Sequence, residues 1–209
     1  LAKNKDITDS INYAKHIQNA FTVKTDYLQQ YFPNSFIFEQ PKDIVSGDFV
    51  WVFNNHQTTF LAVGDCTGHG VPGAMLSVFI ISMLNQIVNQ FDDLTPADIL
   101  IKMDDLIFKY LSQYAAQIND SAELSLINYN PKNKKIIYSA ANRPLVHIRK
   151  NETTIYKGSK HVLGNTNNTN KITENTEIDL ATNDMLFMFS DGYADQFGGD
   201  FYKKFLTKI

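Results

Sequence analysis

The sequence predicts an α+β fold, two β-sheets packed together and covered by helices, and three observations carry that prediction. Short β-rich runs fall into two groups, one at 36–63 and one at 122–189. Helical periodicity lies before the first group and between the two, instead of alternating with single strands as a parallel α/β sheet requires. The chain's 209 residues, 44% of them apolar, are enough to enclose one sizeable core, so a single domain is expected.

In the first segment Ile7, Ile11, Ala14, Ile17 and Phe21 recur at three- and four-residue steps, an apolar stripe on an amphipathic helix. Such a stripe either packs on the domain or serves as a connector or dimer helix. Tyr27, Leu28, Tyr31 and Phe32 suggest a second short helix ended by Pro33. Residues 1–33 are therefore read as an N-terminal helical connector and 34–209 as the domain proper. Strands are expected at 36–39, 48–53 and 58–63, with Asn54-Asn55-His56-Gln57 as the hairpin turn between the last two. A stretch dense in glycine and polar residues, 64–73, leads into an apolar helix over 74–88.

Thr95-Pro96-Ala97-Asp98 is a capped helix start with proline in the first turn. Behind it Ile99, Leu100, Met103, Leu106, Ile107, Tyr110 and Leu111 line one face. Strand texture returns at 122–129 and 134–140, joined through Asn130-Pro131-Lys132-Asn133, then at 145–149 and 153–157. An asparagine- and threonine-rich loop at 164–170 precedes the last strands, at 177–180 and 185–189.

Composition narrows the function. With 19 basic and 22 acidic residues the net charge is −3, which gives no broad attraction for nucleic acid or an anionic membrane. A lone cysteine, Cys66, cannot form an internal disulfide. The most apolar stretch, 74–84, is short for a membrane span and carries Ser77 and Ser82, and no signal-peptide pattern is present, so a cytoplasmic location is expected. The chain opens at Leu1 and closes at Lys208-Ile209, from which a piece of a longer protein is expected.

Three segments share a carboxylate at the edge of a predicted strand, next to glycine. They are Ser46-Gly47-Asp48-Phe49, Gly64-Asp65-Cys66-Thr67-Gly68-His69-Gly70 and Ser190-Asp191-Gly192. Aspartates where strands meet loops can converge on one point, and oxygen ligands of that kind suit hard cations such as Mg²⁺ and Mn²⁺. A single Asp-Gly or Gly-Asp pair is more often a turn. Against three independent turns stands the apolar context of Asp65 and Asp191, which follow Phe60-Leu61-Ala62-Val63 and Met185-Leu186-Phe187-Met188-Phe189, because a carboxylate ending a buried strand is costly unless paired or metal-bound.

The runs from Asp43 to Phe49, Gly64 to Ala74 and Ser190 to Gly199, with Asn142-Arg143-Pro144-Leu145 between, resemble in order and spacing the SpoIIE-like bacterial phosphatases. These belong to the metal-dependent, type-2C class of serine/threonine protein phosphatases. The resemblance implies a sandwich of two antiparallel sheets flanked by helices, with two Mn²⁺ or Mg²⁺ ions at one end and a third, weaker ion beside them. By position, Asp65 matches the carboxylate bridging both ions, the Cys66 backbone carbonyl a further ligand, Asp48 and Asp191 ligands to one ion or the other, and Asp195 an acidic position serving the weaker ion.

Two cations that share a water lower its pKa and neutralise charge building on the phosphoryl oxygens, so no phosphoenzyme is needed and Cys66 is not a nucleophile. A cysteine phosphatase would want an arginine a few residues beyond the cysteine, and 67–74 holds none. His69 is a candidate to protonate the departing oxygen or, alternatively, to orient the loop by hydrogen bonding. Lys42 and Arg143 are candidates to hold substrate phosphate, or else solvated side chains.

Members of the family finish with a further helix and a strand carrying an Asp-Asp-x-Thr-like ligand segment. After Gly199-Asp200 the chain has only 201–209, so the phosphatase domain is read as lacking its C-terminal end. Asp120 and Glu123 are not taken as its replacement. The expected reaction is hydrolysis of phosphoserine or phosphothreonine on a regulatory protein resembling an anti-sigma-factor antagonist, under an upstream sensor and with a homodimer as an option. A phosphatase-like module that binds a partner without turnover is the alternative.

Overall fold

The computed structural model describes residues 2–55, 57–114, 120–164, 174–192, 194–195, 197–198 and 203–204. The elements follow in the order α1 (Ala2–Phe21), α2 (Thr25–Leu28), β1 (Phe49–Asn54), β2 (Thr59–Cys66), α3 (Gly70–Gln90), α4 (Pro96–Tyr114), β3 (Ala122–Asn130), β4 (Lys135–Ala141), β5 (Leu145–Arg149), β6 (Glu152–Tyr156), β7 (Thr176–Asp179) and β8 (Met185–Met188), then the short pair β9 (Phe197–Gly198) and β10 (Lys203–Lys204).

Two antiparallel sheets form the core, a large one in the order β1-β2-β3-β4-β7 and a small one in the order β6-β5-β8. Period-two alternation sends the side chains of the large sheet to two different cores. One face, with Phe49, Trp51, Ala62, Leu124 and Leu126, packs on Ile80, Leu84, Ile87, Ile99, Leu100 and Met103 of α3 and α4. The other, with Ile127, Ile136, Tyr138, Ala140 and Ile178, packs on Leu145, Leu186 and Met188 of the small sheet. This is the expected two-sheet α+β sandwich.

Several local expectations change. No strand forms at 36–39, where Phe36 and Phe38 are exposed and the backbone is irregular. The apolar helix begins earlier than expected, at Gly70, and at 21 residues is long and apolar enough by composition to cross a membrane. Half of it is nonetheless enclosed in the core, with Ile80 and Leu84 fully buried. Strand β8 is less enclosed than its composition suggests, because it is an edge strand of the small sheet and leaves Met185 and Phe187 exposed. Positions 165–170 of the expected asparagine- and threonine-rich loop, together with His56, lie outside the described residues.

Helix α1 packs against α3, but its stripe is only partly covered. Ile7, Ile11 and Ala14 border a groove with Val71, and Ile7, Ile17 and Phe21 are exposed. The tightest link is polar. Buried Gln18 donates through Nε2 to the Ser46 carbonyl, and to Ser77 Oγ at 2.9 Å, while its Oε1 accepts from the Ser46 N–H at 3.2 Å.

Candidate active site

Strand register assembles the site. Phe49 lies opposite Gly64, so one step further Asp48 faces Asp65. On the other edge of β2, Asp65 pairs with Glu123, and the β3–β4 register that sets Leu124 against Ala141 carries Glu123 to Asn142. Asp48, Asp65, Glu123 and Asn142 thus form a row at one end of the large sheet, on the face directed at the small sheet. From the small sheet, the turn after β8 brings Ser190 and Asp191 to the same place. Ser190 Oγ donates to Asp48 Oδ2 at 3.1 Å, tying the two halves together.

Like charges opposite one another on neighbouring strands repel. Here they converge on Arg143, whose Nη2 lies 2.5 Å from Asp65 Oδ2, 2.7 Å from Glu123 Oε2 and 3.4 Å from Asp191 Oδ2. Asn142 Nδ2 donates to the second oxygen of Glu123 at 2.7 Å. The Arg143 side chain is 9% exposed, that of Asp65 18% and that of Asp191 58%, so the cluster grades from buried floor to open rim. The Asp65 carboxyl is pushed up to about 7, first by burial and then by the charge of Asp48. Arg143 opposes the shift, while Asp191 and a hydrogen bond with Asp48 add to it.

Cys66 ends β2 with its thiol buried, and burial, followed by the charges of Asp65, Asp48 and Asp120, pushes its pKa far above the ordinary thiol range. A thiol held protonated in this way is a poor nucleophile. Its backbone faces Gly47. The Cys66 N–H donates to the Gly47 carbonyl at 3.3 Å, and a Cβ on Gly47 would come within 2.8 Å of the Cys66 carbonyl oxygen. Only glycine permits that approach, which sets the Cys66 carbonyl against the backbone leading into Asp48. Gly68 then turns with φ +89°, a conformation L side chains rarely adopt.

The other candidates lie on neighbouring loops. His69 caps α3 with an exposed ring whose Nδ1 is 2.8 Å from Asp43 Oδ2, a contact joining the 43–48 loop to the 67–70 loop. Asp195 follows one turn after Asp191 and donates its N–H to the Asp191 carbonyl at 2.8 Å, with its side chain exposed. Lys42 is exposed. Two residues at the centre, Glu123 and Arg143, were set aside or left open by sequence reasoning. A signal existed for Glu123, since pairing of 58–63 with 122–129 in the right register places it beside Asp65.

Asp48, Asp65, Glu123, Asp191 and the Cys66 carbonyl form an all-oxygen donor set, which suits Mg²⁺ or Mn²⁺. As the side chains stand, no three histidine, cysteine, aspartate or glutamate residues among those described are grouped around one ion position. Arg143 stands in their midst instead.

The sequence profile of the family described as Stage II sporulation protein E (SpoIIE) matches residues 55–206. No curated protein sequence is significantly similar to the chain. Among solved structures, the SiaA-PP2C domain of Pseudomonas aeruginosa is 26% identical, with a TM-score of 0.86 over 99% of this chain and 80% of that one. The PP2C phosphatase domain of SpoIIE from Bacillus subtilis, described with a fragment of its regulatory domain, is 19% identical, with a TM-score of 0.58 over 73% of this chain and 43% of that one. RsbX in complex with magnesium is 12% identical, with a TM-score of 0.55 over 75% of this chain and 71% of that one.

Proposed function

The chain belongs to the SpoIIE family of PP2C-type phosphatases of bacterial signalling, and on that premise we propose that it hydrolyses phosphoserine or phosphothreonine on a regulatory protein in the cytoplasm, using Mn²⁺ or Mg²⁺. The observation that carries this reading is the row Asp48, Asp65 and Glu123 across three strands, met by Asp191 from the opposing sheet. Four carboxylates against one arginine leave an excess of negative charge that a bound cation would neutralise.

Asp65, with Asp48, Asp191 and the Cys66 carbonyl, would hold the two ions, with Glu123 beside them, and Asp195 at the exposed rim would serve a weaker third one. Bound there, the metals would polarise the phosphoryl group and acidify a water. The protein's own part is orientation. Ser190 fixes Asp48 through its hydroxyl, Gly47 allows the two ligand loops to touch, and the His69–Asp43 contact holds the rim loop in place. That contact favours an orienting role for His69 over proton transfer.

The open side of the cluster, at Asp191, leaves room for a phosphorylated side chain presented by a folded partner resembling an anti-sigma-factor antagonist. The exposed residues of α1 suit a connection to an upstream sensor or to a second copy of the chain. The reading is tested by phosphate release from a phosphoserine protein. Release should require Mn²⁺ or Mg²⁺ and stop on chelation, and metal-independent release would refute it.

A further inference from the structure

Resting on the metal-site reading above, we propose that Arg143 is an internal counter-cation that occupies the carboxylate cluster in place of a divalent ion, so that metal uptake requires its guanidinium to release Asp65. Arginine normally meets a carboxylate as a two-pronged fork. Here a single nitrogen, Nη2, faces oxygens of Asp65, Glu123 and Asp191, drawn from β2, β3 and the turn after β8. One positive centre thus answers three carboxylates from two sheets, the neutralising role that a bound cation would otherwise fill. The rest of the side chain is less well housed, because its Nε is buried without a hydrogen-bond partner. A charged donor left unpaired in this way is costly, so the carboxylates are what hold the guanidinium in.

An ion and Arg143 cannot share Asp65 Oδ2. That oxygen is 2.5 Å from Nη2, and an ion bound to it at about 2.1 Å would place two positive centres side by side in a buried setting. The arginine must swing. Its backbone is pinned on both sides, since the Asn142 N–H donates to the Ser159 carbonyl at 2.8 Å and Tyr138 Oη donates to the Arg143 carbonyl at 2.6 Å. Motion is thereby confined to the side chain. Asn142 itself, at φ +56° and bonded to Glu123, stays with the row.

The test is Mn²⁺ titration by calorimetry together with thermal melting in chelator and in saturating Mn²⁺, on the wild type, Arg143→Ala and Arg143→Gln. Both variants should melt lower in chelator, gain more than the wild type from Mn²⁺, and bind Mn²⁺ about ten-fold more tightly, the equivalent of one charge-assisted hydrogen bond no longer broken on binding. Variants that fold only when Mn²⁺ is present support the exchange equally, because the ion then replaces the arginine. Unchanged or weaker Mn²⁺ binding overturns it, as does failure of both variants to fold even in saturating Mn²⁺. A wild type that takes up no Mn²⁺ removes the metal reading itself, whereas Mn²⁺ uptake indifferent to Arg143 removes only the exchange.

Discussion

At Asp65 the protein holds a carboxylate mostly out of water with Asp48 and Glu123 on either side, an arrangement that costs stability in any fold without a matching cation. Replacing the charge but not the shape separates function from packing. Asp65→Asn should lower metal-dependent phosphatase activity about a hundred-fold or more, because on the proposed reading it removes a charge that both ions would share, while the melting temperature in chelator stays level or rises.

Cys66 offers the opposite case. On the proposed reading only its main-chain carbonyl serves the metals, so Cys66→Ser should keep activity within about two-fold while costing about 1 kcal/mol for the buried hydroxyl. Loss of turnover in that variant with metal still bound would argue for thiol chemistry. Asp48, Asp65 and Asp191 were legible in the sequence because each follows or precedes an apolar strand beside glycine. Arg143 was legible only as a choice between a holder of substrate phosphate and a solvated side chain, since nothing in an Asn-Arg-Pro turn tells that the turn closes inside the cluster.

Helices and strands differ in what they reveal. Helix α4 was legible nearly to its ends, since proline, capping residues and an apolar face all lie within its own sequence. Asp98 Oδ2 accepts from the Thr95 N–H at 2.9 Å, the reciprocal half of the expected cap. The stretch 36–39 has the residues of a strand but no neighbour to pair with, and β-propensity counts for little without one.

Helix α1 shows a further limit. Its apolar stripe was evident, yet the residue that docks it is polar Gln18, whose amide takes both backbone hydrogen-bonding groups of Ser46, two positions before Asp48. A helix attached there can bias the placement of Asp48. Gln18→Ala should cost about 1–3 kcal/mol by leaving buried partners unpaired, and turnover should change along with it. Removing residues 1–22 should alter turnover or self-association while the domain remains folded. If rate and oligomeric state are both unaffected by the truncation, α1 is packing alone.

The whole molecule is a sandwich whose site lies at one end, and a second polar clasp ties the small sheet together away from it. Asp184, whose side chain is buried just before β8, accepts from Arg149 Nε and Nη2, contacts His147 Nε2 at 2.9 Å and accepts from the Ala181 N–H at 2.8 Å. Hydrogen bonds from Arg149 hold its carboxyl well below the usual range, against the cost of burial. A carboxyl lowered on folding stabilises above its unfolded pKa and loses that contribution as pH falls below about 4. Asp184→Asn should therefore destabilise the domain by about 2 kcal/mol near neutral pH, and the gap to the wild type should narrow in acid denaturation.

The two groups of strands gave the two-sheet architecture from sequence, but membership did not follow chain order. Strand β7 returns to the large sheet beside β4, although its neighbours in the chain, β6 and β8, lie in the small one. Pairing across such distances depends on register, and register is also what sets Asp48, Asp65 and Glu123 in line.

Whether that line of carboxylates gathers metal can be read from anomalous scattering of crystals grown with Mn²⁺. Two adjacent peaks bounded by Asp48, Asp65 and Asp191 are expected, with the Arg143 side chain turned out of the cluster. Peaks elsewhere, or an undisturbed Arg143–Asp65 pair in saturating Mn²⁺, would contradict that expectation.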